Sequence, residues 1–279
     1  MVNTADVDAM VQCISHVAST TRPVHARRVY SYDRLAMDMG ASPYRLLTMY
    51  AWFPYVNGAY DTQSVSPRVV TKTMNAMQQE TSPIIVDIEA FDPLNDGENM
   101  LRNVVRACSM WRMCSSREIG LYYVLPFRRY WPCARLRAAL ANGDDPATHV
   151  RALATAMEAD DQAAERLLPY VDFVTPECYL PYIDTGAKWL DWQWDTAYSI
   201  LEATRVAKGK PVRPFVWFRA TPGGDNVALP LAVWESSLQW VASLPGVDAL
   251  TVYHGGGVPA EYRWQDAVQK LMCDSLSQT

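Results

Sequence analysis

From residue 44 onward, short apolar runs alternate with stretches whose apolar residues recur at helical spacing. The runs Leu46 to Phe53 (LLTMYAWF), Ile84 to Ile88 (IIVDI), Ile119 to Leu125 (IGLYYVL), Val171 to Leu180 (VDFVTPECYL), Val212 to Arg219 (VRPFVWFR) and Val247 to Tyr253 (VDALTVY) predict strands. Between them, residues 67–80, 97–116, 146–168, 189–207, 230–243 and 261–275 predict helices. Ser66-Pro67 opens the first of these as a cap and first-turn pair, and Ser82-Pro83 breaks the chain before the next strand. Upstream, Val7, Met10, Val11, Ile14 and Val17 share one side of a helix over residues 6–19. The rest of residues 1–43 carries no assignable pattern, so this part is expected as an N-terminal helical extension.

Strands alternating with helices imply a parallel sheet, and strands that are apolar on both faces fit a closed barrel or a doubly wound sheet. No GxGxxG or GxxxxGK turn follows the first strand, which weighs against the nucleotide-binding, doubly wound form. The expected fold is therefore α/β, a (β/α) TIM-like barrel, irregular and with fewer than eight regular strands. With no internal repeat, low-complexity stretch or linker, residues 1–279 are expected to form one domain. Polar and aromatic residues gather at the C-terminal ends of the predicted strands: Asp87, Glu89, Tyr123, Glu177, Tyr179, Arg219, Tyr253 and His254. In a (β/α) barrel that end holds the active site.

Composition narrows the function classes. A net charge of -5 gives no general pull on nucleic acid or on an anionic membrane, and no run of 18 apolar residues is present. Arg27-Arg28 and Arg128-Arg129 are short basic pairs of the kind found on any solvated surface. The cysteines, at 13, 108, 114, 133, 178 and 273, form no CxxC pair and no zinc-type spacing, and free thiols are expected. The opening MVNTADVDAM lacks the basic start and apolar core of an export signal, so the reading is a soluble protein made in a reducing compartment. The chain is rich in tryptophan (10) and tyrosine (15), which core packing or a groove for flat sugar faces would both use.

Asp87 and Glu89 stand two apart on one strand, so both point to the same face, with Cα atoms roughly 6–7 Å apart. Two carboxylates on an inward face repel each other; this raises one pKa and makes a proton donor near neutral pH. Glycoside hydrolysis needs such an acid beside a second group that manages the anomeric centre. The alternative is that both carboxylates cap loops or pair with cations such as Arg219.

Here the chain resembles a known family. IIVDIEAFDP looks like the D-x-E strand of the hyaluronidase family of glycoside hydrolases, GLYYVLPFRRYW like its G-Y-Y-x-x-P strand, and TPECYLPY like its P-S-I-Y-L strand. KPVRPFVWFRA resembles its P-V-F-V-Y-T-R strand, and VDALTVYHGGG stands where the family has its final I-W-G strand. The order holds from about residue 80 to 257; the first 80 residues show no match. The resemblance implies substrate-assisted, retaining cleavage beside an N-acetylhexosamine, whose acetamido oxygen attacks the anomeric carbon. It makes Glu89 the acid/base and Asp87 the residue that orients the acetamido group. Tyr123 and Tyr179 become acetamido-binding tyrosines, with Trp217 and Tyr253 lining the site. No cofactor is implied, and the expected partner is a polysaccharide: peptidoglycan, chitin-like or glycosaminoglycan.

Departures from the pattern bound what carries over. Tyr253 replaces a family tryptophan, and Glu177 stands where the family has a serine, two residues before Tyr179 and so on its face. The family's disulfide cysteines are not evident, and its members are mostly secreted. An enzyme without an export signal would suit a phage particle or lysis component. Arg219 would take a uronate carboxylate or pair with Asp87 or Glu177. The four histidines are too scattered for a metal-dependent amidohydrolase. An Asp87, Glu89 and Glu177 oxygen set suited to Mg²⁺ or Ca²⁺ ranks behind the other readings, and no metal is expected. Two rival functions remain: a carbohydrate-binding or structural barrel without catalysis, and a muramidase-type lysozyme, for which the opening D-V-S-x-x-Q strand is lacking.

Overall fold

The computed structural model describes residues 4–19, 28–31, 42–43, 45–48, 55–56, 59–60, 65–76, 81–87, 97–122, 124–127, 132–180, 187–220, 227–253 and 263–277. In chain order the elements are α1 (Thr4–Ser19), β1 (Val29–Ser31), β2 (Ser42–Pro43), β3 (Arg45–Thr48), β4 (Tyr55–Val56), β5 (Ala59–Tyr60), α2 (Pro67–Ala76), β6 (Ile84–Asp87), α3 (Gly97–Cys114) and β7 (Ile119–Tyr122). They continue with α4 (Pro132–Asn142), α5 (Ala147–Leu167), β8 (Phe173–Thr175), α6 (Ala187–Ala207), β9 (Phe215–Trp217), α7 (Leu231–Ser243), β10 (Leu250–Tyr253) and α8 (Trp264–Ser277). The strands form two four-stranded sheets, β2-β1-β10-β9 and β3-β6-β7-β8, with every pairing in them parallel. β4 and β5 pair separately and antiparallel. Single parallel bridges, Val174 with Val212 and Glu177 with Phe215, tie β8 to the chain around β9.

Alternation along each strand sorts the core. Ile84 and Val86 of β6, Ile119 and Leu121 of β7 and Val174 of β8 pack with Val104, Cys108 and Trp111 of α3 and Leu167 of α5. Val29 of β1, Val216 of β9, and Leu250 and Val252 of β10 pack with Val7, Ile14 and Val17 of α1 and with Trp192, Trp234 and Trp264. The intervening residues meet in a third cluster drawn from both sheets: Tyr30, Ile85, Tyr122, Phe173, Phe215 and Ala249, with Tyr179 and the half-buried Leu46, Trp217 and Tyr253. The two sheets therefore face one another across this inner cluster. Residues 1–43, expected as an N-terminal helical extension, put α1 against the outer core and β1 between β2 and β10.

One end of the inner cluster is closed by Arg213, whose guanidinium lies 4.3 Å from the Phe173 ring centre and 4.8 Å from that of Tyr30. Its Nη1 donates to Glu118 Oε2 at 2.9 Å, and Nε reaches Asp248 Oδ2 at 3.4 Å. Burial acts to lower the Arg213 pKa; the Glu118 bond, with the negative potential of Tyr30, Glu118 and Asp248, outweighs it, and the guanidinium stays charged. Gly120 supports the same packing: a Cβ there would collide with the Phe173 ring. Tryptophan mostly serves packing, with Trp111, Trp192, Trp234 and Trp264 among the fully buried side chains. No helix among the described residues is long and apolar enough to cross a membrane.

All six cysteines are free; Cys13, Cys114 and Cys273 are exposed, and Cys108, Cys133 and Cys178 are buried. Burial, partly opposed by Arg112, pushes the Cys108 thiol from 9.0 up to about 12. Burial first, and Asp195 second, raise Cys133 as well. An aromatic disulfide reagent should thus label three thiols in the native protein and all six after denaturation. The unfolded Cys108 releases its proton near 9.0 and the folded one only near 12, so its contribution to stability is intact below 9.0 and declines between these values. Gly120→Ala should cost about 2 kcal/mol or more in chemical denaturation, by forcing Phe173 out of place.

Candidate functional site

Parallel pairing brings the C-terminal ends of the strands to one rim. Asp87, the last residue of β6, is half-buried and stands level with Thr48 of β3 and Tyr122 of β7. It shares its strand face with Ile85 of the inner cluster. Glu89, two residues further on, lies outside the described residues, as do Tyr123 and His254. Among the described residues, the aromatic that stands level with Asp87 is Tyr122, which the sequence pattern had not singled out. Its ring is buried, 4.7 Å from Phe215 and 6.1 Å from Tyr179. The signal that could have found it is parity: a strand that turns Ile119 and Leu121 toward the helices turns Gly120 and Tyr122 inward.

Tyr179 sits among four other rings. Its centre is 5.4 Å from Trp217, 6.2 Å from Tyr253 in a stacked arrangement, and 6.4 Å from Phe215. Trp217 and Tyr253 meet edge to face at 5.3 Å. Tyr179, Trp217 and Tyr253 are thus brought together as expected residues of one site, with Trp217 and Tyr253 half-buried. Arg219 follows two residues after Trp217, half-buried and already engaged within the protein.

Glu177 is buried, 3% exposed, and bridges in register with Phe215, whose ring belongs to the inner cluster. Cys178 and Leu180 belong to the outer core and Tyr179 to the inner one, so alternation gives Glu177 the inner side as well. The stagger between strands then relates it to Asp87. Tyr122 is level with Thr175, and Val174 is level with Val212, so Tyr122 is two residues out of register with Phe215; yet these rings nearly touch. Tyr30 over Arg213 shows the same offset. Alternate strands therefore contribute to one layer with a two-residue step. The same step from Asp87, level with Tyr122 and Thr175, leads to Glu177. From Glu177, level with Phe215 and Thr251, it leads to Tyr253. Asp87, Glu177 and Tyr253 share a layer on this reasoning, as side chains of alternate strands do in barrel interiors.

Two buried carboxylates hold the segment between β7 and α4 at its ends. Asp160 of α5, fully buried, accepts from the Phe127 N–H at 3.2 Å. Asp195 of α6 accepts from the Cys133 and Ala134 N–H groups at 3.0 and 3.2 Å, at the start of α4. These positions were not legible beforehand, because a capping aspartate and its helix lie far apart in the chain. Among the described residues no group of three His, Cys, Asp or Glu is placed to hold a metal ion.

The fold that carries this rim is an α/β architecture with parallel sheets, of the kind found in glycoside hydrolases. Bee venom hyaluronidase is similar over 90% of this chain and 95% of its own, at 14% identity and a TM-score of 0.51. The structure of bee venom hyaluronidase in complex with a hyaluronic acid tetramer is similar over 90% and 94%, at 13% identity and a TM-score of 0.53. The likeness is one of fold. No family model and no curated protein sequence matches the chain.

Tyr179 fills the centre of the aromatic group, so Tyr179→Ala should lower stability by about 3 kcal/mol in chemical denaturation. Asp87→Asn, at a half-buried strand end, should change it by less than about 1 kcal/mol.

Proposed function

We propose that this protein is a glycoside hydrolase acting on a polysaccharide that contains N-acetylhexosamine. The observation that carries the reading is the likeness in fold to bee venom hyaluronidase over 90% of the chain, with Asp87 at the C-terminal rim beside an aromatic inner cluster. On this reading the two four-stranded sheets are halves of one irregular barrel of eight strands, where fewer than eight regular strands were expected. Only Tyr44 separates β2, which pairs with β1, from β3, which pairs with β6, and single bridges link β8 to β9.

Glu89 is the proposed acid/base and Asp87 the residue that orients the substrate's acetamido group, so that its oxygen attacks the anomeric carbon. An acid held near other carboxylates keeps its proton to higher pH, as leaving-group protonation requires. Tyr123, Tyr179, Trp217 and Tyr253 line the sugar site, offering apolar faces for the ring and polar edges for its substituents. Tyr122 joins them on the strength of its place beside Asp87. A specific observation also favours a second reading, binding without cleavage: a tyrosine, Tyr253, rather than a tryptophan shares the rim with the buried carboxylate Glu177.

The test is hydrolysis of chitin-type, peptidoglycan and glycosaminoglycan chains, read as release of reducing ends. Glu89→Gln should lower the rate by about 10²–10⁴-fold while the protein stays folded, and the basic limb of the wild-type pH profile should disappear with it. Unchanged hydrolysis by that variant would overturn the mechanism. Saccharide binding with no release by the wild type would select the second reading.

A further inference from the structure

Beyond Trp217 the chain does not leave the rim. Alternation continues unbroken from β9: Phe215 and Trp217 face the inner cluster, while Val216, Phe218 and Ala220 belong to the outer core. Arg219 therefore takes the inner side, next after Trp217 in that row. The returning chain pairs with this extension. The Leu229 N–H donates to Phe218 O at 2.9 Å, the Ala220 N–H donates to Val227 O at 3.0 Å, and Arg219 bridges antiparallel with Ala228. The result is a two-stranded hairpin standing on the C-terminal end of β9.

Such a hairpin is marginal alone and needs a surface to pack on. One of its faces has that surface. Phe218 stacks on Trp264, with ring centres 5.1 Å apart and planes 7° apart, and meets Trp234 edge to face at 6.2 Å. Ala220 and Leu229 are buried on the same side. The opposite face, with the half-buried Arg219 and Ala228, is thereby fixed beside Trp217 and turned toward the mouth. Residues opposite one another in antiparallel strands have Cβ atoms about 5 Å apart, so Ala228 stands next to Arg219 with only a methyl, where a larger side chain would project into the mouth. Arg219 is already engaged within the protein, and the wall is therefore drawn on Trp217 and Ala228. The Trp217 Nε1 is buried with no acceptor among the described residues. An unmade bond of this kind is costly, and a ligand oxygen met by a turn of the ring recovers it.

An aromatic face, a small residue and an unsatisfied donor suit one side of a sugar. This place is separate from the end of β6. β9 stands three strands away across β7 and β8, roughly 14 Å around the sheet at the usual strand spacing. We propose that the β9 hairpin is a binding wall for a second sugar unit, so that the protein recognises a chain of N-acetylhexosamine-containing sugar rather than a single residue. This rests on the proposed glycoside hydrolase reading and extends it from the reacting sugar to its neighbours.

Calorimetric titration of the full chain tests it, with Glu89→Gln in place so that oligomers stay intact. The probes are the di- and tetrasaccharides of two series, N-acetylchitooligosaccharides and hyaluronan. In a series that binds, the tetramer should bind about tenfold more tightly than the dimer, the gain expected from one further aromatic contact. Ala228→Trp, which fills the wall, should reduce that advantage to about twofold or less and leave the dimer unchanged. Val227→Ser, on the opposite face of the same hairpin, should leave both affinities unchanged. Equal affinity for dimer and tetramer, an advantage that survives in folded Ala228→Trp, or one that Val227→Ser removes equally, overturns the wall and leaves the glycosidase reading standing. Binding of no oligomer in either series overturns both.

Discussion

The rest of the structure depends on how the inner faces of two parallel sheets fill the space between them. Alternate residues of every strand must go inward, and the room there is limited, so large rings on one strand require small residues on the next. Phe173 shows the constraint most clearly: its ring occupies the space that Gly120 leaves empty on β7, and Arg213 covers its far side. The charge is tolerated because the stem and guanidinium lie on aromatic rings while Glu118 and Asp248, about half exposed, take up the donors from the solvent side. With one end sealed by a cation on aromatics, the inner face is free to become polar and aromatic at the other end. That polarity is asymmetric along the strands: isoleucine, phenylalanine and alanine lie deep, and aspartate, glutamate and tyrosine lie at the C-terminal rim.

What the amino-acid pattern made legible follows from the strength of each signal. The helices with long, regular apolar faces were readable to within a few residues; Val7, Ile14 and Val17 of α1, for example, are all buried. The apolar runs located the strands and overstated their length. Val171 to Leu180 reads as one strand, whereas the paired part of β8 is Phe173–Thr175, because residues stay inward-facing and buried beyond the last regular hydrogen bond. β1 was not readable: three residues, Val-Tyr-Ser, are too few to show alternation, and all three are buried by their neighbours in the sheet rather than by any pattern of their own. α4 was missed for a different reason. Its short sequence is rich in alanine and arginine, and its start is secured by Asp195, 62 residues away from Cys133.

The candidate site shows the same division. The place of Asp87 at the end of a strand was legible from the apolar run before it, which is a local property. Tyr122 was missed because its inward direction follows from the strand's parity, and parity is set by packing against α3 rather than by the tyrosine itself; Tyr123 lies outside the described residues. Trp217, Tyr179 and Tyr253 were separated by tens of residues in the chain and converge only because three parallel strands run side by side.

Glu177 differs in charge as well as in size from the serine of the strand that this segment resembles. A serine in its place would be small and neutral, and the layer it shares with Asp87 would then carry a single carboxylate among the described residues. With glutamate there, the protein keeps a buried ionisable group on the inner side of the rim. It cannot simply substitute for Asp87, because the two stand on different strands and approach the shared layer from different directions.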